Sequence, residues 1–147
     1  MRKVIVLLFV ALLSLAAQTS QARSNSSSFE FGNPTNVDYH VSPIRVTTLQ
    51  DFKQIIACGT PCVVFFTADW CGPCKIVSPQ IVKLADEHPN IIFLIVDVDN
   101  LPAIPTEYDV KSLPTVIFLD KTGNEVGRSI GVKSMQTYEE YIIKINS

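Results

Sequence analysis

The sequence predicts an α/β domain of five strands and four helices in the order β-α-β-α-β-α-β-β-α. Three observations carry this. Short apolar runs, Val63–Phe66 and Ile91–Val98 among them, alternate with segments whose apolar residues recur at helical spacing. Near the end, Thr115–Leu119 and Glu125–Ile130 flank Asp120-Lys121-Thr122-Gly123-Asn124, a hairpin signal. In the middle, the Val63–Phe66 run breaks at Asp69-Trp70 and resumes as a helical pattern near Lys75, so that one strand hands over directly to a helix.

Taken in order, Met1–Ala22 reads as a secretory signal peptide. Arg2 and Lys3 form a basic start, Val4–Leu13 is uninterruptedly apolar, and Ser20-Gln21-Ala22 supplies small residues before a cut at Arg23. The run is shorter than the ~20 residues a spanning helix needs, so no permanent membrane anchor is expected. Residues 23–42, rich in Ser, Asn, Gly and Pro, read as a flexible arm. The arm carries a glycosylation sequon at Asn25 and two aromatic residues, Phe29 and Phe31.

The compact domain is expected over 43–147. Ile44–Thr47 reads as a first strand. Thr48 caps a helix whose Leu49, Phe52, Ile55 and Ile56 share one face. Cys58-Gly59-Thr60-Pro61-Cys62 turns into the Val63–Phe66 strand. A second helix runs from Cys71 towards Glu87, burying Ile76, Val77, Ile81 and Leu84, with Pro79 inside it. His88-Pro89-Asn90 ends it, and Ile91–Val98 has the continuous apolar character of a central parallel strand. A short helix lies within Asn100–Val110, and Ser134 caps a last helix with Met135, Tyr138, Tyr141, Ile142 and Ile145 on one face.

Composition narrows the function. The formal net charge of −2 and pI of about 5.6 leave no basic footprint for nucleic acid. With 4 cysteines and 2 histidines in the chain, redox or metal chemistry is the question. A Cys-x-x-Cys pair at Cys71 and Cys74 is used by metal sites too, but those need a second pair at ligand spacing. Cys58, Cys62, His40 and His88 do not supply one. A helix N-terminus, by contrast, favours a thiolate at Cys71 through its unpaired N–H groups and dipole. Cys74, one turn on and more sheltered, is close enough to close a disulfide. An exposed thiolate beside a resolving thiol is a disulfide-exchange site.

The stretch Trp70-Cys71-Gly72-Pro73-Cys74-Lys75 resembles the active site of the thioredoxin family, and the resemblance extends over 43–147. It implies the thioredoxin fold: a central five-stranded mixed sheet flanked by helices on both faces, the last two strands antiparallel to the others. Leu113-Pro114-Thr115 is similar to the family's loop with a cis proline, which packs beside the cysteines and offers backbone to a substrate strand. The resemblance assigns catalysis to Cys71 and Cys74, and support to Trp70 (an aromatic cover), Gly72 (close approach), Pro73 (a stiff turn) and Pro114. It places Leu113, Thr115 and Gly131 along the substrate groove. It implies disulfide-containing protein substrates, an electron donor or acceptor, and no cofactor beyond the Cys71–Cys74 disulfide.

Two positions depart from the family. Its buried Asp, six residues before the first cysteine, is Phe65 here, and the Lys it commonly has on the next strand is Ile95. Losing both members of a charge pair together avoids an unpaired buried charge, but it removes the usual base for Cys74. Cys58 and Cys62 leave three readings open: a local disulfide, two buried free thiols, or a second exchange site. The expectation is therefore an exported protein-disulfide oxidoreductase, secreted or in the secretory pathway or periplasm. Lys144-Ile145-Asn146-Ser147 is not a retention tetrapeptide. The alternatives are an oxidase or isomerase acting in secretory-protein folding, and a binding or chaperone-like module with weak exchange.

Overall fold

A computed structural model describes residues 41–147. The signal peptide expected over 1–22, the arm over 23–42 except its last two residues, Asn25, Phe29 and Phe31 all lie outside the described residues. The elements are β1 (Ile44–Arg45), α1 (Leu49–Ile56), β2 (Cys62–Thr67), α2 (Cys74–Glu87), β3 (Ile92–Asp97), α3 (Ala103–Glu107), β4 (Thr115–Leu119), β5 (Glu125–Ile130) and α4 (Met135–Ile145). The order expected from the sequence is the order observed.

The strands form one sheet ordered β1-β3-β2-β4-β5. β1, β3 and β2 are parallel, and β4 is antiparallel to β2. β5 is antiparallel to β4 and therefore runs with the first three. This corrects the expectation that both last strands oppose the rest. The tight Asp120–Asn124 hairpin reverses the chain a second time, so β4 alone runs backwards. Asp120 Oδ1 holds that turn by accepting from the N–H groups of Thr122 at 2.8 Å and Asn124 at 3.1 Å. Gly123 adopts φ +79, where a side chain would be strained.

Every residue of β2 from Cys62 to Phe66 is buried, because both sheet faces are covered. Its side chains divide by period two. Val63 and Phe65 join Val77, Ile81, Leu84, Phe93, Phe118, Tyr138 and Ile142 under α2 and α4. Cys62, Val64 and Phe66 join Phe52, Leu94, Val96, Ile104 and Ile117 under α1 and α3. Both predicted caps form: Thr48 Oγ1 accepts from Asp51 N–H at 3.0 Å, and Ser134 Oγ accepts from Thr137 N–H at 3.4 Å.

Three local expectations change. β1 stops at Arg45, although Val46 N–H still reaches the Ile95 carbonyl at 2.9 Å. α2 starts at Cys74 instead of Cys71, with Cys71–Pro73 forming the turn before it. Ile76, expected in the core, is 56% exposed, because burial on α2 follows Cys74, Val77, Ile81, Leu84 and Ala85 and turns position 76 outward.

Candidate active site

The site is assembled at one rim of the sheet, where β2 and β3 end, β4 begins and β5 ends. β2 delivers the chain to Ala68, whose carbonyl accepts from Cys71 N–H at 3.1 Å, closing a tight turn over Asp69-Trp70. Pro73, with φ −62, has helical geometry and no N–H to leave unpaired, so it suits the entry to α2. The helix is capped by sulfur: Cys74 N–H donates to Cys71 Sγ at 3.3 Å. Cys71 and Cys74 form a disulfide, with S–S 2.02 Å and Cα–Cα 5.3 Å. Its first sulfur therefore accepts the Cys74 N–H at the N-terminus of α2, a setting that stabilises a thiolate once the bond opens.

Exposure differs from the expectation. Cys71 is as sheltered as Cys74, at 3% and 2% of their surface. Trp70, Gly72 and Pro73 around Cys71 are exposed, so the surface next to it is open to a substrate. Trp70 is 70% exposed and held by its indole Nε1–H donating to Asp99 Oδ2 at 2.8 Å. Asp99 was not picked out from the sequence. It is positioned by Asp97, whose Oδ1 accepts from the N–H groups of Asp99 at 3.0 Å and Asn100 at 3.4 Å. The signal was present: Asp97-Val98-Asp99-Asn100 closing an apolar strand is an Asx-turn pattern.

The Leu113–Pro114 peptide bond is cis. Pro114 is buried, and its carbonyl accepts from Gly131 N–H at 2.8 Å, which ties the loop before β4 to the end of β5. Gly131 has φ +77, and an added Cβ there would meet nothing within 4 Å, so the requirement is conformational and the space above it is open. Thr115 does not line a groove as expected. It is buried, and its hydroxyl donates to the Ser112 carbonyl at 2.8 Å. Leu113 and Gly131 stay half-buried, and Leu113 packs against the cluster that includes Cys71 and Cys74.

Two clefts flank this centre. The larger, about 420 Å³, lies between α3 and the Leu113 loop and includes Trp70, Val98, Pro102, Pro105, Val110 and Leu113. The smaller, about 140 Å³, opens behind the disulfide and is bounded by Arg45, Phe65, Asp69, Cys74, Lys75 and Ile95, among others. Phe65 and Ile95 face each other in register across β2 and β3. Where the family has a buried charge pair, this chain has apolar contact.

Cys58 and Cys62 are both free thiols, the first exposed and the second buried. No bridge joins them, and only one of the two is buried. The Cys62 thiol donates to the Thr60 carbonyl at 3.3 Å, and burial, followed by the nearby Cys58, pushes it up to about 12. A thiol held neutral in this way is a poor nucleophile, which argues against a second exchange site. Among the described residues no cluster of three or more His, Cys, Asp or Glu side chains could hold a metal ion.

The family profile described as thioredoxin matches residues 43–144. The chain is 41% identical over 101 residues to a thioredoxin of Chlamydia trachomatis, covering 69% of this chain and 97% of that protein. It is 40% identical over 93 residues to a thioredoxin H-type 1 of Nicotiana tabacum, covering 63% of this chain and 72% of that one. Among solved structures it resembles a thioredoxin from Trypanosoma brucei brucei, with TM-score 0.67 and 30% identity, covering 78% of this chain and 97% of that one.

Proposed function

The chain belongs to the thioredoxin family and is a protein-disulfide oxidoreductase with a Cys71–Cys74 redox pair; on that footing we propose that it is exported and that it reduces or exchanges disulfides in secreted proteins. The observation that supports disulfide exchange is the placement of this disulfide at the N-terminus of α2. In the reduced state the Cys71 thiolate attacks a substrate disulfide sulfur. One substrate sulfur leaves as thiolate and takes up a proton, and a mixed disulfide remains on Cys71. Cys74 then loses its proton and attacks Cys71 Sγ. The bond to the substrate breaks, its sulfur leaves with the electron pair and is protonated, and Cys71–Cys74 is oxidised by two electrons. The cysteine pair carries the electrons, so the family's chemistry runs without a bound cofactor.

Substrate docking is supported by Leu113, which stays half-buried at the surface between the larger cleft and the cysteines. An extended segment laid along Leu113 and Gly131 adds a short strand pairing beside Cys71. Export is supported by the basic start, ten-residue apolar run and small-residue cleavage site of Met1–Ala22.

The test is insulin-disulfide reduction by the reduced chain, compared with Cys71→Ser. Precipitation of the insulin B chain by the wild type alone supports the reading; equal activity in Cys71→Ser overturns it. Expression in a secretory host and N-terminal sequencing of the released protein test export, a start at Arg23 being expected. The oxidising environment that export implies favours a second direction, oxidation or isomerisation. Equilibration with glutathione separates the two: a potential of roughly −270 mV marks a reductant, and roughly −180 to −120 mV an isomerase or oxidase.

A further inference from the structure

We propose that Arg45 is a positioning residue for the resolving step: with Lys75 it makes the cleft behind Cys74 cationic and so holds the Cys74 thiolate. The inference rests on exchange at Cys71–Cys74 and adds to it how the second cysteine is activated without a carboxylate base.

The argument begins with the sheet. Arg45 on β1 is in register with Ile95 on β3, and Ile95 is in register with Phe65 on β2. Residues in register on neighbouring strands share a face, so Arg45, Ile95 and Phe65 form one row. Phe65 belongs to the face packed under α2, together with Cys71 and Cys74. The row therefore runs beneath the active-site turn. Its two inner positions, where the family carries its charge pair, are apolar here, and the cation stands one strand further out.

The cleft supplies the path from that cation to the sulfur. Cys74 is 2% exposed and Arg45 is exposed, yet both bound the same space of about 140 Å³. That space has room for several water molecules. The charge inventory around Cys74 is short. The loop after β2 contributes Asp69 and Cys71, α2 contributes Lys75, and β1 contributes Arg45. β2 and β3 contribute Phe65, Thr67 and Ile95, none charged. Asp97, further along β3, does not border the cleft and is engaged by the N–H groups of Asp99 and Asn100. Among the residues that border the cleft, two cations therefore stand against one carboxylate.

In the resolving step the Cys74 proton passes to water in this cleft. The thiolate that remains attacks Cys71 Sγ, and the substrate sulfur departs with the electron pair and is protonated by solvent. Arg45 and Lys75 lower the free energy of the thiolate, so more of it is present at neutral pH. A single charge acting across a partly solvated cleft changes that population by about three- to tenfold.

The test uses the full chain carrying Cys58→Ser, which removes the exposed thiol from the signal. The Cys74 thiolate is titrated by its ultraviolet absorbance in the Cys71→Ser variant. Resolution is followed in the reduced chain mixed with an aromatic disulfide, as the second of two thiol-release phases. Arg45→Gln is expected to raise the Cys74 midpoint by about half to one pH unit and to slow the second phase about three- to tenfold at pH 7. Its alkaline plateau should be unchanged, and Arg45→Lys should restore most of the effect. An unmoved midpoint, a loss independent of pH, or equal loss in Arg45→Lys and Arg45→Gln overturns the proposal. Absence of any second phase in the Arg45 parent instead overturns the exchange reading itself.

Discussion

The apolar pair Phe65 and Ile95 invites a double-mutant cycle. Phe65 is 1% exposed and directly opposite Ile95, with Val116 on its other flank. Phe65→Asp removes a buried ring, which alone costs about 3–5 kcal/mol, and leaves a carboxylate short of water and partner, which adds to that. Such a loss consumes much of the roughly 5–15 kcal/mol that a domain of this kind has. Ile95→Lys, at a half-buried position with a long stem, should cost less, about 1–2 kcal/mol. If the two positions form one electrostatic site, Phe65→Asp/Ile95→Lys recovers about 1–3 kcal/mol relative to the sum of the single changes. Urea unfolding of the four oxidised proteins measures this. The double mutant should also resolve a mixed disulfide at least several-fold faster above neutral pH, since a positioned general base is typically worth 10²–10⁴-fold. Additivity within about 0.5 kcal/mol, with no gain in resolution rate, would refute the view that Phe65 and Ile95 stand in place of a charge pair.

Other predictions are local. Gly127→Ala puts a Cβ 2.4 Å from Tyr141 Cε1, whose ring stacks on Phe118 at 4.7 Å, and should cost about 1–3 kcal/mol in thermal unfolding. Trp70→Phe removes the donor to Asp99 from an exposed side chain; kcat/KM on protein disulfides should fall several-fold while Tm moves by less than about 2 °C. Burial raises the Cys62 thiol to about 12, so above about pH 9 the unfolded chain binds fewer protons than the folded one. Stability should therefore be full below about pH 9 and fall from there to about pH 12, and Cys62→Val should flatten that fall in urea titrations. In the native chain iodoacetamide should modify exposed Cys58 rapidly and buried Cys62 only on unfolding.

Much of this was legible in the residues because local and global signals agree. The hairpin at Asp120–Asn124 carries its own turn chemistry, and both β4 and β5 have the expected bounds. The Ser134 and Thr48 caps, likewise, depend on a side chain and a backbone only three residues apart. What escaped depends on distant partners. Asp99 matters because the fold brings Trp70 beside it across 29 residues, and Arg45 matters because β1 pairs with β3. Ile76 looked like core because apolar identity does not say which side of a helix the tertiary packing selects. Cys58 and Cys62 stayed ambiguous because bridge formation turns on side-chain direction, and the Cys62 thiol points to the Thr60 carbonyl.

The backward run of β4 has a consequence for the two thiol systems. With β2 and β3 arriving at one rim and β4 starting from it, the Cys71–Cys74 disulfide sits at that end of the sheet. Cys62 opens β2 and so lies at the other end, five residue steps from Thr67, a separation of about 17 Å at ~3.3 Å per residue. Sulfurs must touch to exchange electrons as a bond. Cys58 and Cys62 are thus wired in no circuit with Cys71 and Cys74 inside one molecule. Whatever changes their oxidation state must arrive from outside, and the exchange pair can cycle without recording it.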